Sequence, residues 1–188
     1  MADVHPTDQP SATFQWLPAY AQQIADGANR WAYLEYYINS SIWLLADVRP
    51  AIGACLTSQM YTMSAKLAAL LSLLKLRKAP QDILDRVNKF ASAHRDALEA
   101  RNRMVHDIWL NDNVAKANMG KLRITADKIL RYNIESIDIS SLIQDVQKIE
   151  NRRLDAAIIK DAIERALPSL PEMSQSELHP ITESHVGP

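Results

Sequence analysis

The sequence predicts a mainly α fold: an antiparallel bundle of four to five helices, with a small β-hairpin between the third and the last long helix. Three observations predict it. Apolar residues recur with a helical period through most of the chain. Only 4 of 188 residues are glycine, which leaves little turn chemistry for an all-β protein. And 47% of the residues are apolar, enough for one domain to fill a core.

Residues 1–12 place Pro6 and Pro10 among polar neighbours and read as a flexible lead. Residues 13–167 read as a single helical domain. Residues 168–188 carry Pro168, Pro171, Pro180 and Pro188 with almost no apolar period, and read as a disordered tail.

Within the domain, the first helix carries a stripe of Trp31, Leu34, Ile38, Ile42 and Leu45. It can begin at Pro18, and it ends at Arg49-Pro50, because the residue before proline avoids the helical region. Its aromatic set, Trp31, Tyr33, Tyr36, Tyr37 and Trp43, wraps most of the helix and implies burial on more than one side, against a partner helix or a second copy. The second helix carries Leu56, Met60, Met63, Leu67, Leu70 and Leu74 and breaks at Ala79-Pro80, where proline suits the first turn of a new helix. The third carries Ile83, Val87, Phe90, Ala91, Leu98 and Val105 and runs to about Ile108. LRITA and LRYNI, in residues 122–134, alternate as half-buried strands do, giving a hairpin whose turn, Asp127-Lys128, lacks glycine. The last helix starts near Asp138 or Ser140, both good caps, and carries Leu142, Val146, Ile149, Leu154, Ile158 and Ala162 to about Leu167. Its polar middle, ENRR, faces solvent or a partner.

Several function classes drop out on composition. A net charge of −1 gives no global basic footprint, although Arg95, Arg101 and Arg103 cluster locally. The single cysteine, Cys55, leaves no intrachain disulfide and no multi-cysteine zinc site. With Ile52, Ala54 and Leu56 around it, Cys55 reads as a small buried residue. There is no zincin spacing, no carboxylate cluster for a di-metal bundle and no glycine-rich phosphate loop, so no cofactor and no metal are expected. The N-terminus lacks the features of a signal peptide, and the apolar run from Leu67 to Leu74 is too short to cross a bilayer. A soluble, cytoplasmic protein without membrane contact is expected.

One stretch departs from the pattern. ARNRMVHDIW, Ala100 to Trp109, brings two arginines, an asparagine and a histidine to the end of the third helix. On a helical wheel Arg101 lies about 40° from the centre of the apolar stripe. An unpaired buried guanidinium costs several kcal/mol, so Arg101 needs a partner. Glu35 is equally out of place on the first helix's stripe, and the two are expected to face each other. Asn102 and His106 are four apart and can touch. Arg101 and His106 are about 140° apart on the wheel. For them to serve one site, the helix end must loosen or two chains must share the site across a two-fold axis. His94, on the same stripe, reads as a satisfied core or interface histidine. Arg95, Glu99 and Arg103 step at i, i+4 and i+8 as a surface ladder, and Asp107 and Asp112 add negative charge after the histidine.

RNRMVH, Arg101 to His106, resembles the R-x4-6-H motif of HEPN domains in the form where asparagine follows the arginine. WAYLEYYINSSIWLL at 31–45, SQMYTMSAKLAALLSLLKL at 58–76 and the tryptophan after the histidine are similar to HEPN-related surroundings, over roughly residues 28–110. The resemblance implies a dimerising helical bundle and, in many members, a metal-independent ribonuclease with a site made from both chains. Carried over, Arg101 and His106 would be catalytic and Asn102 would orient them; beside that, the stripe position of Glu35 makes it the expected support for Arg101, and Arg103 and Arg95 of the surface ladder are the candidates for RNA contact. The chemistry suits those residue types. Cleavage by the RNA 2′-hydroxyl needs a proton acceptor, a proton donor and positive charge on the phosphorane, which imidazole and guanidinium supply. A helical scaffold that binds a protein partner, or a ligand sensor, are the other readings of the same fold.

Overall fold

The computed structural model describes residues 18–111, 119–127 and 129–169. The fold is mainly α, with a small antiparallel sheet. In chain order it comprises α1 (Pro18–Leu45), α2 (Pro50–Thr57), α3 (Met63–Leu76), α4 (Gln81–Ala93), α5 (Arg95–His106), β1 (Ile108–Asn111), β2 (Met119–Asp127), β3 (Ile129–Ile137) and α6 (Ile139–Ala166), closed by a 3-10 turn at Leu167–Ser169. The expected flexible lead, the expected tail from residue 170 onward and the hairpin turn residue Lys128 lie outside the described residues, while Pro168 and Ser169 of that tail are part of the 3-10 turn.

The helix count exceeds the sequence expectation because two predicted helices are each divided. The second predicted helix stops at Thr57 and restarts at Met63. Thr62 has extended backbone angles, and its side chain accepts the backbone N–H of Ala65 at 3.1 Å, an N-cap that begins a new helix. The third predicted helix is interrupted at His94, which occupies a turn between α4 and α5.

The described residues divide into two compact units, one within 18–32 and 95–153, the other within 33–94 and 154–169. The second unit is helical. Its core is Leu34, Ile38, Leu45, Leu70, Leu74, Val87 and Ile163, all essentially inaccessible. α2 turns Gly53 and Thr57 inward, and the Trp43 indole N–H donates to Thr57 Oγ1 at 3.1 Å. A Cβ at Gly53 would intrude into the Trp43 ring, so only glycine permits this approach. With that face inward, Ile52, Cys55 and Leu56 point outward. Cys55 is therefore exposed rather than buried. Apolar neighbours gave the wrong inference because a short helix that is apolar all round does not reveal which face it buries. His94 is buried as expected. Its Nδ1 lies 2.8 Å from the Ala91 carbonyl and its ring stacks on Phe90.

The first unit holds the start of α1, all of α5, the sheet and the first half of α6. The expected hairpin is present as β2 and β3, in register from Met119↔Ile137 to Asp127↔Ile129. β1, which the apolar pattern does not separate from the preceding helix, adds a third strand with Trp109 opposite Lys121. Tyr20 anchors α1 on the sheet: its hydroxyl donates to the Ile137 carbonyl at 2.8 Å, and its ring meets Trp109 edge-on. Asp138 precedes α6 and accepts the Ser140 hydroxyl at 2.6 Å, and this bond with the backbone N–H groups of the first turn holds its carboxyl below the ordinary range. The polar ENRR stretch, expected to face solvent or a partner, is spent within the unit. Glu150 accepts from Arg153 at 2.7 Å and from Arg30 on α1 at 2.7 Å, which drives its pKa down to about 2. Arg152 reaches Asp96 of α5 at 3.4 Å.

Two predicted stripes lose phase along their length. In α6, Leu142, Val146 and Ile149 are buried, but Leu154 and Ile158 are about half exposed, and Ala156, Ile159 and Ile163 take the inward positions. The stripe passes through Arg153, so a reading that follows only apolar residues slips there. In α5 the buried residues are Ala97, Ala100 and Met104, while Val105 is 44% exposed. A straight wheel carried across the break at His94 overruns the stripe by one residue.

Candidate functional site at the end of the fifth helix

That slip changes the position of Arg101. It is half-buried beside the inward residue Ala100, at the edge of the apolar face rather than within it. The expectation of a cation set into the core is corrected accordingly. Glu35 is engaged elsewhere: its carboxylate pairs with Lys66, a buried lysine on α3. Glu35, expected to face Arg101, thus has Lys66 as its partner, while Arg101 has its partners on its own helix.

The partner of Arg101 is His106. Arg101 Nη1 lies 2.9 Å from His106 Nε2 and 3.1 Å from Asn102 Oδ1. On a wheel, residues five apart can meet only if the helix loosens or two chains share the site. The structure brings them together in one chain. Five residues rise about 7.5 Å along a helix, within reach of an extended arginine, and His106 is the last residue of α5, so no further turn obstructs it. A guanidinium nitrogen only donates, so Nε2 accepts, and the imidazole carries its proton on Nδ1 in this arrangement. Asn102 Oδ1 takes another guanidinium proton and fixes the plane of the fork. Asn102 and His106 are exposed, so the polar triangle opens to solvent.

The other two residues assigned to RNA contact sit on the same helix. Arg103 is half-buried and lies 4.0 Å from both Glu99 and Glu135, loose pairs that leave its charge available. Arg95 is exposed at the first residue of α5, some three turns from His106. The structure thus gathers Arg101, Asn102 and His106, keeps Arg103 on the same short helix, and sets Arg95 at that helix's other end.

One residue escapes sequence reasoning altogether. Lys121 of β2 is only 6% exposed, and its ammonium lies 3.3 Å from Asp107 and 4.9 Å from the centre of the Trp109 ring. Burial pushes its pKa down, with Asp107 opposing that shift. This pair balances the negative charge that Asp107 places directly after His106. The Trp109 indole N–H donates to the Met104 carbonyl at 3.0 Å, satisfying one of the acceptors that a helix end leaves open. The alternation of β2 is the only available signal, and it suggests Leu122 as the inward residue. In fact Met119 and Lys121 are buried, and Leu122 is half-buried.

No group of three or more histidine, cysteine, aspartate or glutamate side chains suited to a metal occurs among the described residues. No helix among them is long and apolar enough to cross a membrane. Comparison with protein-family models, with curated proteins and with solved structures finds no match to this chain.

Proposed function

We propose that this chain is a HEPN-like endoribonuclease that cleaves RNA by attack of its 2′-hydroxyl, with Arg101, Asn102 and His106 as the reacting set and no metal in the chemistry. The observation that carries the reading is the 2.9 Å contact between Arg101 and His106 on an open surface, with Asn102 bonded to the same guanidinium. These are the three residues of the motif that the sequence resembles.

The chemistry rests on the residue types. The guanidinium binds the non-bridging phosphate oxygens and holds its charge as the phosphorane forms. A phosphate that draws Arg101 away frees Nε2 of His106, the nitrogen it currently occupies, to take the 2′-hydroxyl proton. A second imidazole gives a proton to the departing 5′-oxygen. One chain presents one such imidazole in the triangle, so the complete reaction calls for two chains related by a two-fold axis, each contributing Arg101 and His106. Val105 and Ile108, 44% and 49% exposed on either side of His106, give a second copy an apolar surface to cover. Products are a 2′,3′-cyclic phosphate and a 5′-hydroxyl.

The test is an RNA oligonucleotide carrying a single 2′-deoxy nucleotide at a mapped cleavage position, incubated in excess EDTA. The reading expects cutting at every mapped position except the modified one. Cutting at the deoxy position, or dependence on added metal, contradicts it.

A second reading is a binding module that docks a protein partner without catalysis. It is favoured by Tyr33 and Tyr36 of α1 and Ile52 and Leu56 of α2, each about half exposed. It expects no cleavage and no effect of His106→Ala on partner binding.

A further inference from the structure

The last turn of a helix is the part most ready to fray, because its final carbonyls have no partner within the helix. His106 is the terminal residue of α5, yet its imidazole meets Arg101 at hydrogen-bond distance. Something must hold that turn closed. Two ties flank His106. On one side the Trp109 N–H is bonded to the Met104 carbonyl, two residues before the histidine. On the other, the Asp107 carboxylate, one residue after it, is bonded to the Lys121 ammonium. Both ties meet at one place, since Lys121 lies over the Trp109 ring and is paired with Trp109 across β1 and β2.

We infer that Lys121 and Asp107 are positioning residues for His106: the ion pair between the buried lysine and the half-buried aspartate fixes the end of α5 against the sheet and thereby sets the imidazole's tautomer and direction. The inference rests on the proposed reading for its catalytic consequence, but not for its structural one. A buried lysine is costly to keep, and a surface turn with no task gains little from such a partner. Here the ammonium stands at the C-terminal end of α5, where positive charge also complements the exposed carbonyls. Arg103 and Asp145 are the other charged groups that act on Lys121, one opposing and one favouring its charge. Neither flanks His106 in the chain, and Asp145 is itself bonded to Lys148 at 2.7 Å.

The decisive readout is the imidazole itself, observed by long-range proton–nitrogen correlation on nitrogen-15-labelled full-length protein at mildly alkaline pH. The wild-type protein should give His106 two well-separated ring-nitrogen resonances, the signature of a single Nδ1–H tautomer. Lys121→Met and Asp107→Asn should draw the two resonances toward each other while the helical circular dichroism is retained. If Lys121→Met fails to fold, the near-isosteric Asp107→Asn decides alone. Wild-type separation in a folded Asp107→Asn protein overturns the inference, as does failure of that variant to fold, which would make the pair a general stabiliser. In an RNA cleavage assay, Asp107→Asn should lower kcat about tenfold with KM unchanged, the size of a partial loss of acid–base positioning. A wild-type protein that does not cleave removes the ribonuclease reading and leaves the tautomer result standing. Full cleavage alongside an unchanged tautomer pattern in both variants removes this inference and leaves the ribonuclease reading standing.

Discussion

Arg101 Nη1 and His106 Nε2 are 2.9 Å apart within one short helix, although five residues separate them. The contact joins a group that only donates to a ring nitrogen that accepts, so the arginine aims that nitrogen. Lysine cannot reproduce this, since it lacks the planar fork that also reaches Asn102 Oδ1. Arg101→Lys should therefore lower RNA cleavage by about a hundredfold or more, the scale of a lost transition-state cation, while the melting temperature stays within a few degrees. Parallel activity and melting measurements check this. A fully active Arg101→Lys protein would show the fork to be dispensable.

The inward face of α5 is set by Met104, not Val105. Met104 is 2% exposed and Val105 is 44% exposed. Met104→Ala should cost about 2–4 kcal/mol through the cavity it leaves, and Val105→Ala about 0.5 kcal/mol or less. Urea unfolding of the two variants measures the difference directly, and equal losses would mean that the helix packs in the other phase.

That pair of residues also shows how far the sequence can be read. The core stripe of the first helix is legible, because Trp31, Leu34, Ile38, Ile42 and Leu45 recur without a break and all five are buried, although the helix ends at Leu45 rather than Arg49 and Tyr33 and Tyr36, expected to be covered, are about half exposed. The stripe of α6 is legible only until Arg153, a charged residue on the inward line that is satisfied by Glu150. The break at His94 is invisible because no proline or glycine marks it, and the rest of that predicted helix, now α5, is misphased, Arg101 included. The motif residues emerge from spacing, which survives an error of phase. Their mutual contact does not, because a wheel describes Cα directions and not the reach of a long side chain. Lys121 stays hidden because burial of a lysine depends on partners 14 residues earlier in the chain, at Asp107, that no local pattern predicts.

Acid should act on Glu150. The Glu150 carboxyl is held at about 2 by Arg153 and Arg30, against an ordinary 4.5. A depressed carboxylate contributes its stability above the unfolded value and loses it as pH falls through the folded one. The contribution is therefore complete above about pH 4.5 and fades toward about pH 2. Because the arginines are partly in solvent, it amounts to roughly 1–2 kcal/mol. Glu150→Gln should lower the melting temperature at neutral pH and flatten its decline through the acid range. An unchanged pH profile in that variant would locate the acid sensitivity elsewhere.

Two helical glycines should differ in their tolerance of a methyl group. At Gly53 an added Cβ meets the rigid Trp43 ring, whose indole is also held by Thr57. At Gly27 it meets the Met104 sulfur at 2.6 Å, near the end of a flexible side chain that can move aside. Gly53→Ala should destabilise by about 1–3 kcal/mol, and Gly27→Ala by clearly less, helped by alanine's better helix propensity. Thermal melts of both variants in one buffer test the order, and a reversed order would contradict the packing around Trp43.

The most direct test of the central claim is RNA cleavage by wild-type and His106→Ala proteins in excess EDTA, with the ends of the products identified. The account predicts that the wild-type protein cuts and leaves cyclic phosphate, and that His106→Ala, folded and of unchanged oligomeric state, does not. Cutting by His106→Ala at the wild-type rate, or a wild-type protein that leaves RNA intact, would contradict it.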